Sequence, residues 1–150
     1  MGKRSAGMVA RWAVQSITPP LQFSTTPFCL FMMELRKTFQ FEAAHLLPHL
    51  PKSHKCRRLH GHSFKVEIVV AGKCDPRLGW LMDYADISRA FQPILEKLDH
   101  FYLNEVHGLE NPTSENIAAW IWKKLRPRLP LLTEVAVAET CTAKCVYRGE

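Results

Sequence analysis

Alternation of apolar and polar residues with a period of two predicts two strands near the middle of the chain. In LRKTFQFEAAH (35–45), the odd positions from Phe39 to His45 share one face, and the even positions from Thr38 to Glu42 share the other. In HGHSFKVEIVVAG (60–72), the even positions from His60 to Val70 share one face. The first apolar face therefore ends in a histidine, and the second begins with two, at positions 60 and 62.

Two segments with helical spacing of apolar residues follow. Asp83 is a candidate N-cap for the first helix, although Pro93 predicts a kink or an interruption within it. In NPTSEN, Thr113 or Ser114 can cap the second helix, which ends at Arg126-Pro127. The two apolar stripes consist of Ile87, Ala90, Phe91, Ile94, Leu95 and Leu98, and of Ile117, Trp120, Ile121 and Leu125.

A last strand is predicted in EVAVAETC, where Val135, Val137 and Glu139 share a face, and one more is expected over residues 144–148. The order ββααββ, with helices grouped apart from antiparallel strands, predicts an α+β domain. Residues 34–150 are assigned to this domain.

Residues 1–33 differ from the rest, because they contain no acidic residue and no sustained periodicity. A basic, Ser-bearing transit peptide is one interpretation. An extension upstream of the true start is the one we favour, since Met32-Met33 directly precedes the patterned region. Most of this segment is expected to be poorly ordered.

Composition excludes several classes of protein. The chain has 150 residues, 47% of them hydrophobic and 23% charged, as expected for one globular domain. It lacks an apolar run of eighteen residues, so no membrane span is predicted. Five cysteines without an evident secretory signal favour reduced thiols and a cytoplasmic location. Cys141 and Cys145 are expected to be core or surface thiols rather than a chelating pair.

The net charge of +6 does not by itself indicate nucleic-acid binding. Half of the excess comes from Lys3, Arg4 and Arg11 in the acid-free segment. Elsewhere the two signs are interspersed, as on a solvated surface, so no nucleic-acid partner is predicted.

The histidines at the strand ends form a candidate metal site. Residues i and i+2 of a strand project from one face, about 6.5–7 Å apart, so His60 and His62 can bind one ion. A bare His-x-His pair also arises by chance, and the prediction depends on His45, whose imidazole would be costly to bury unpaired. Three neutral imidazoles with an open position are typical of catalytic zinc, which acts as a Lewis acid.

Cys56, four residues before His60, decides the class of the site. It is either a fourth ligand that closes a structural site, a small buried hydrophobe or a reactive thiol. The basic residues on both sides of it favour the thiolate. His49 and His54, in the same loop, are interpreted as solvated or adjacent to a substrate.

Two acidic features are further candidates. In KLDHFYLN, Asp99 can orient His100 for proton transfer, although such a dipeptide is a weak signal. Glu139 lies on the apolar face of the last strand, where a carboxylate is costly unless it is paired or binds a ligand.

An ordered set of segments covers about residues 35–150: FEAAH, C-x3-HGHS, GWLMDY, LDHFYLN, NPTSEN and ETCTAKCVYRGE. This set closely resembles the 6-pyruvoyltetrahydropterin synthase family, and in particular its 6-carboxytetrahydropterin synthase branch in queuosine biosynthesis. The resemblance implies the tunnelling fold (T-fold), with two helices on one face of an antiparallel four-stranded sheet. It also implies homo-oligomers, usually hexamers, with active sites at the subunit interfaces.

The resemblance further implies a role for each matched residue. His45, His60 and His62 correspond to zinc ligands, and Cys56 to a catalytic base that is not a ligand. Asp99 and His100 correspond to a proton-relay pair, and Glu139 to the carboxylate that anchors the pterin ring. Additional substrate-binding candidates are Thr113, Ser114 and Glu115.

The gap of three residues between Cys56 and HGH is that of the carboxy-synthase branch. The implied reaction converts 7,8-dihydroneopterin triphosphate to 6-carboxy-5,6,7,8-tetrahydropterin, with release of acetaldehyde and triphosphate. Pyruvoyl-type triphosphate elimination, aldolase-like cleavage of dihydroneopterin and a structural-zinc module without turnover remain alternatives.

Overall fold

Two long strands form the centre of the sheet in a computed structural model that describes residues 32–149. Strand β1 (Met32–His45) and strand β2 (His60–Lys73) pair antiparallel along their whole length. Phe41 lies opposite Phe64, and their rings stack with centroids 4.9 Å apart. The predicted alternation is therefore confirmed, and the two apolar faces coincide.

The complete sheet has five strands in the order β3-β1-β2-β4-β5. Strands β4 (Leu132–Thr140) and β5 (Ala143–Tyr147) form a hairpin beside β2. Strand β3 (Phe101–Tyr102) pairs parallel to β1 at the opposite edge. The α+β class is confirmed. The sheet differs from the predicted four antiparallel strands because it has a fifth strand, β3, which runs parallel to β1. A two-residue strand is too short to have a recognisable period.

Helix α1 (Tyr84–Leu95) and helix α2 (Ser114–Leu125) cover one face of the sheet, as predicted. Asp83 caps α1 by accepting from the Ala85 N–H, and α1 continues through Pro93. Thr113 caps α2 by accepting from the Asn116 N–H. The apolar stripes of both helices join one core with the inward faces of β1, β2 and β4. Burying each large aliphatic or aromatic side chain of that core contributes about 1.5–3 kcal/mol.

The opposite face of the sheet carries ion pairs instead of helices. Arg36 bonds Glu67 at 2.8 Å and Glu134 at 3.4 Å, and Arg148 reaches Glu134 at 2.7 Å. The buried Glu134 carboxylate is thus paired with two guanidinium groups, which offsets its desolvation.

The predicted N-terminal extension lies outside the described residues, except for Met32 and Met33, which begin β1. No helix in the range 32–149 has the length and apolarity needed to cross a membrane. The four cysteines of that range are free thiols.

Candidate metal centre

Strand pairing brings three histidines together at one end of the sheet. His45, the last residue of β1, pairs with His60, the first residue of β2, and Ala43 pairs with His62. Because all three side chains point to the same face, their ring centroids lie 4.6–5.2 Å apart. One ring nitrogen from each histidine lies within 4.8 Å of the other two. The predicted convergence is found.

The hydrogen bonds of two of these rings leave the other nitrogen available. The Nδ1 of the fully buried His45 is 2.9 Å from the Pro112 carbonyl, an acceptor, so the proton lies on Nδ1. His45 Nε2 is buried and has no partner among the described residues. His60 Nδ1 similarly lies 2.7 Å from the Arg58 carbonyl. A buried acceptor without a partner is costly, and a metal ion would satisfy it.

The electrostatics keep His45 in the form that binds a metal. Burial is the main cause that lowers the pKa of His45, and the neighbouring His60 and His62 lower it further. The bond to Pro112 and the charge of Glu139 act in the opposite direction without reversing the shift. The imidazole is therefore neutral near pH 7, with a free lone pair on Nε2.

The donor set fits a divalent transition-metal ion. Neutral imidazoles suit zinc, copper, iron and nickel, whereas carboxylate and carbonyl oxygens suit magnesium and calcium. Three histidines also leave a coordination position for a substrate oxygen, as catalytic sites do. Hydrogen bonds from the second ring nitrogens to backbone carbonyls are the usual way in which metal-binding histidines are oriented.

Cys56 lies beside this group but does not belong to it. Its short 3-10 turn, Lys55–Arg57, belongs to the loop between β1 and β2, and the thiol is half-buried. Among the described residues the ligand group consists of the three histidines alone. Cys56 nevertheless lines a cavity of about 440 Å³ together with His60 and His62. The structure therefore places Cys56 in a cavity next to two of the histidines and outside their ligand group.

The Cys56 turn is fixed by its neighbours. The Cys56 N–H donates to His54 Nδ1 at 3.1 Å, and the Cys56 carbonyl accepts from the Leu47 N–H at 2.8 Å. His54 is thus a solvent-exposed cap of the turn. Arg57 donates to the Leu50 carbonyl at 3.0 Å, which leaves Lys55 and Arg58 as the basic residues that line the cavity.

Asp99 and His100 form the predicted pair, with Oδ1 and Nδ1 3.0 Å apart. Asp99 Oδ1 also accepts from the Glu42 N–H at 3.0 Å. The Glu42 N–H is the main cause that lowers the pKa of Asp99, and His100 adds to it. His100 has a φ of 61°, in the left-handed region that non-glycine residues rarely adopt. It lines a cavity of about 520 Å³ that also contains His62.

Glu139 is half-buried on β4 and lines a third cavity, of about 450 Å³. Ser114 and Glu115 line the same cavity, whereas Thr113 is occupied in capping α2. Within one chain, the candidate catalytic side chains are thus distributed over three cavities, two of which meet at His62.

Sequence reasoning did not identify three groups that support the site. The Pro112 carbonyl, which orients His45, belongs to the backbone and leaves no pattern in the sequence. Asn104 bonds the backbone of Leu46 next to His45, and its only signal was its place in the LDHFYLN segment. The Glu42 backbone, which bonds Asp99, was missed for the same reason as Pro112.

Comparison with known proteins identifies the family of this chain. The family model described as "6-pyruvoyl tetrahydropterin synthase" matches residues 34–150. The chain is 46% identical over 122 residues to a 6-carboxy-5,6,7,8-tetrahydropterin synthase of Synechocystis, covering 77% of this chain and 93% of that protein. It is 38% identical over 90 residues to a dihydroneopterin monophosphate aldolase of Pyrococcus furiosus, covering 60% of this chain and 72% of that protein.

Solved structures share the same fold. The 6-pyruvoyl tetrahydropterin synthase of Caenorhabditis elegans superposes with a TM-score of 0.74 at 25% identity, covering 82% of this chain and 99% of that chain. The predicted T-fold is therefore confirmed. Together, the match over residues 34–150, the sheet with its two helices and the three clustered histidines place this chain in the 6-pyruvoyl tetrahydropterin synthase family, as an enzyme of the lyase type.

Proposed function

We propose that this chain, with zinc as its metal, converts 7,8-dihydroneopterin triphosphate and water to 6-carboxy-5,6,7,8-tetrahydropterin, acetaldehyde and triphosphate in queuosine biosynthesis. The observation that carries the proposal is the Cys56 thiol, which shares a cavity with His60 and His62 but stands outside the ligand group. The 46% identity to the Synechocystis carboxy-synthase favours this branch of the family. The gap of three residues between Cys56 and HGH supports it.

His45, His60 and His62 would hold the zinc ion through their nitrogen atoms. Bound there, zinc supplies Lewis-acid chemistry that makes substrate hydroxyls and the adjacent C–H more acidic. Cys56 then acts as the base that removes a substrate proton. His100, held by Asp99 at 3.0 Å, returns or accepts a proton.

The pterin ring is assigned to the cavity of Glu139. A carboxylate there accepts hydrogen bonds from ring N–H donors, and charge-assisted bonds of this kind are the strong ones. Ser114 and Glu115 lie in the same cavity and are proposed to bind substrate. Thr113 is proposed to contribute by fixing the start of α2.

Lys55 and Arg58 are proposed to attract the triphosphate, because they line the Cys56 cavity. Arg57 is the matched control, since its guanidinium bonds the Leu50 carbonyl. Alanine at Lys55 or Arg58 is expected to raise KM and to weaken its dependence on salt. An unchanged KM in both variants would refute this assignment.

Product analysis with Cys56→Ala tests the main proposal. The wild-type chain with zinc is expected to yield acetaldehyde and a carboxypterin. A pyruvoyl product or glycolaldehyde would instead indicate the synthase or aldolase activity of its relatives. Cys56→Ala is expected to keep a full equivalent of zinc and to lose turnover. Loss of zinc in this variant would indicate a closed structural site.

We also propose that the chain is a cytoplasmic homo-oligomer, a hexamer or a tetramer, with sites completed at subunit interfaces. Leu59 is 64% exposed beside the Cys56 cavity and Phe101 is 53% exposed beside the His100 cavity. Apolar side chains at the rims of open cavities favour coverage by a second subunit.

Mixing two inactive variants tests this arrangement. Cys56→Ala and His100→Ala chains, refolded together, are expected to regain part of the activity if the two groups meet across an interface. Light scattering gives the mass of the assembly. A monomeric mass, or a mixture without activity, would contradict shared sites.

A further inference from the structure

We propose that Asn104 is a positioning residue for the metal centre, because its side-chain amide joins the two segments that carry the donor and the acceptor of the hydrogen bond that orients the His45 imidazole. The inference rests on the proposed zinc site. It assigns a role to a residue whose side chain bonds the backbone of Leu46 and Glu110 rather than a histidine ring.

Asn104 forms three side-chain hydrogen bonds, all to backbone groups. Its Oδ1 accepts from the Leu46 N–H at 3.0 Å, and its Nδ2 donates to the Leu46 carbonyl at 2.9 Å and to the Glu110 carbonyl at 3.1 Å. An asparagine amide has two N–H donors, and both are used here along with its oxygen. Since Oδ1 faces an N–H and Nδ2 faces two carbonyls, the amide has one consistent orientation.

The two segments that Asn104 joins carry the donor and the acceptor of the His45 bond. Leu46 directly follows His45, whose Nδ1 donates to the Pro112 carbonyl at 2.9 Å. Glu110 lies two residues before Pro112, in the loop that leads to α2. One side chain therefore ties the end of β1 to that loop, and the separation of donor and acceptor depends on it.

The sheet does not fix this separation. The pairing of β1 with β2 ends at His45 and His60, so the backbone of Leu46 lies beyond the ladder. Asn104 bonds both polar groups of that backbone instead. Without these bonds, the end of β1 loses its link to the loop that carries the Pro112 carbonyl. A shift of that carbonyl relative to His45 then weakens the bond that keeps the ring proton on Nδ1 and the lone pair on Nε2.

Loss of an outer group that orients a metal ligand typically weakens metal binding 10- to 100-fold. Because Asn104 acts through the backbone of Leu46 and Glu110, we expect Asn104→Ala to raise the dissociation constant for zinc about tenfold, at the lower end of this range. Asn104→Asp has the same shape, but its dissociation constant for zinc is expected to rise at least as much, since a carboxylate would face two carbonyl oxygens.

The experiment measures zinc binding to the full chain by competition with a chelator. Leu125→Val is the control for general destabilisation, because it trims the core at the far end of α2, about 16 Å along the helix from Ser114. Its dissociation constant is expected to equal that of the wild type. An unchanged constant in Asn104→Ala, or an equal rise in Leu125→Val, would overturn the assignment.

A second readout needs no metal. In the metal-free protein, the Nδ1–H of His45 is expected to give an NMR signal protected from solvent exchange in the wild type and in Leu125→Val, but not in Asn104→Ala. A protected signal in Asn104→Ala would overturn the inference. If the wild-type chain binds no zinc, the proposed metal centre and this inference are both refuted. If zinc binding depends on His45 but its dissociation constant is the same in Asn104→Ala, only this inference is refuted.

Discussion

Replacing His45 by leucine distinguishes a metal ligand from a histidine that merely fills the core. In the metal-free protein, two effects of similar size oppose each other. Leucine removes the buried, unpartnered Nε2, an unsatisfied atom that costs about 1–3 kcal/mol. It also removes the donor to the Pro112 carbonyl, which leaves that oxygen unpaired at a similar cost. We expect the metal-free free energy of unfolding to change by less than about 2 kcal/mol.

The stability gained on adding zinc distinguishes the wild type from His45→Leu. At a free concentration 1,000 times its dissociation constant, a ligand of the native state adds about 4.1 kcal/mol of stability. In a domain of this size, that gain raises the Tm by roughly 10–20 °C. His45→Leu removes one of three ligands, and most of this rise is expected to disappear.

The assay is thermal unfolding followed by circular dichroism, with zinc and with a chelator. His49→Leu is the matched control, because His49 is exposed in the loop after β1 and stands outside the ligand group. If zinc raised the Tm of the wild type and of His45→Leu equally, the reasoning would be refuted. So would a metal-free His45→Leu protein that is destabilised by more than about 4 kcal/mol, a value in the range of a large core truncation.

Two further predictions use the pKa shifts. Since the pKa of Asp99 is lowered in the native state, its contribution to stability is complete above the unfolded value of about 3.9 and is lost as the pH falls through the native value. Urea midpoints between pH 5 and pH 2 are expected to fall more steeply in wild type than in Asp99→Asn, and parallel curves would contradict this. Burial, followed by the charge of Glu115, raises the pKa of the Cys145 thiol. Iodoacetamide at pH 8 is therefore expected to alkylate the exposed Cys141 before Cys145, as resolved by peptide mass spectrometry, with the gap narrowing at higher pH; faster labelling of Cys145 would contradict it.

Membership of the family follows from the linear order of the motifs, which is a property of the sequence alone. The approximate positions of the long strands and of both helices were also predictable, because each has a clear period and each helix has a side-chain cap. The short parallel strand at Phe101–Tyr102 was not predictable, since it depends on where the chain after α1 meets the edge of β1.

For the site, the period of two placed His60 and His62 on one face of β2, and His45 on the apolar face of β1. This parity depends only on the spacing of residues within each strand. The antiparallel register decided the rest, because only the pairing of His45 with His60 brings the three rings within one coordination sphere. A shift by one residue would have sent one set of side chains to the other face.

The supports of the site were decided by tertiary structure alone. A backbone carbonyl such as that of Pro112 has the same chemistry at every position, so no pattern distinguishes the one that meets His45. Cys56 is similar, because its place beside the histidines depends on how the loop between β1 and β2 folds back. The sequence by itself determined which residues carry the chemistry, and the packing of segments distant in sequence decided which of them meet.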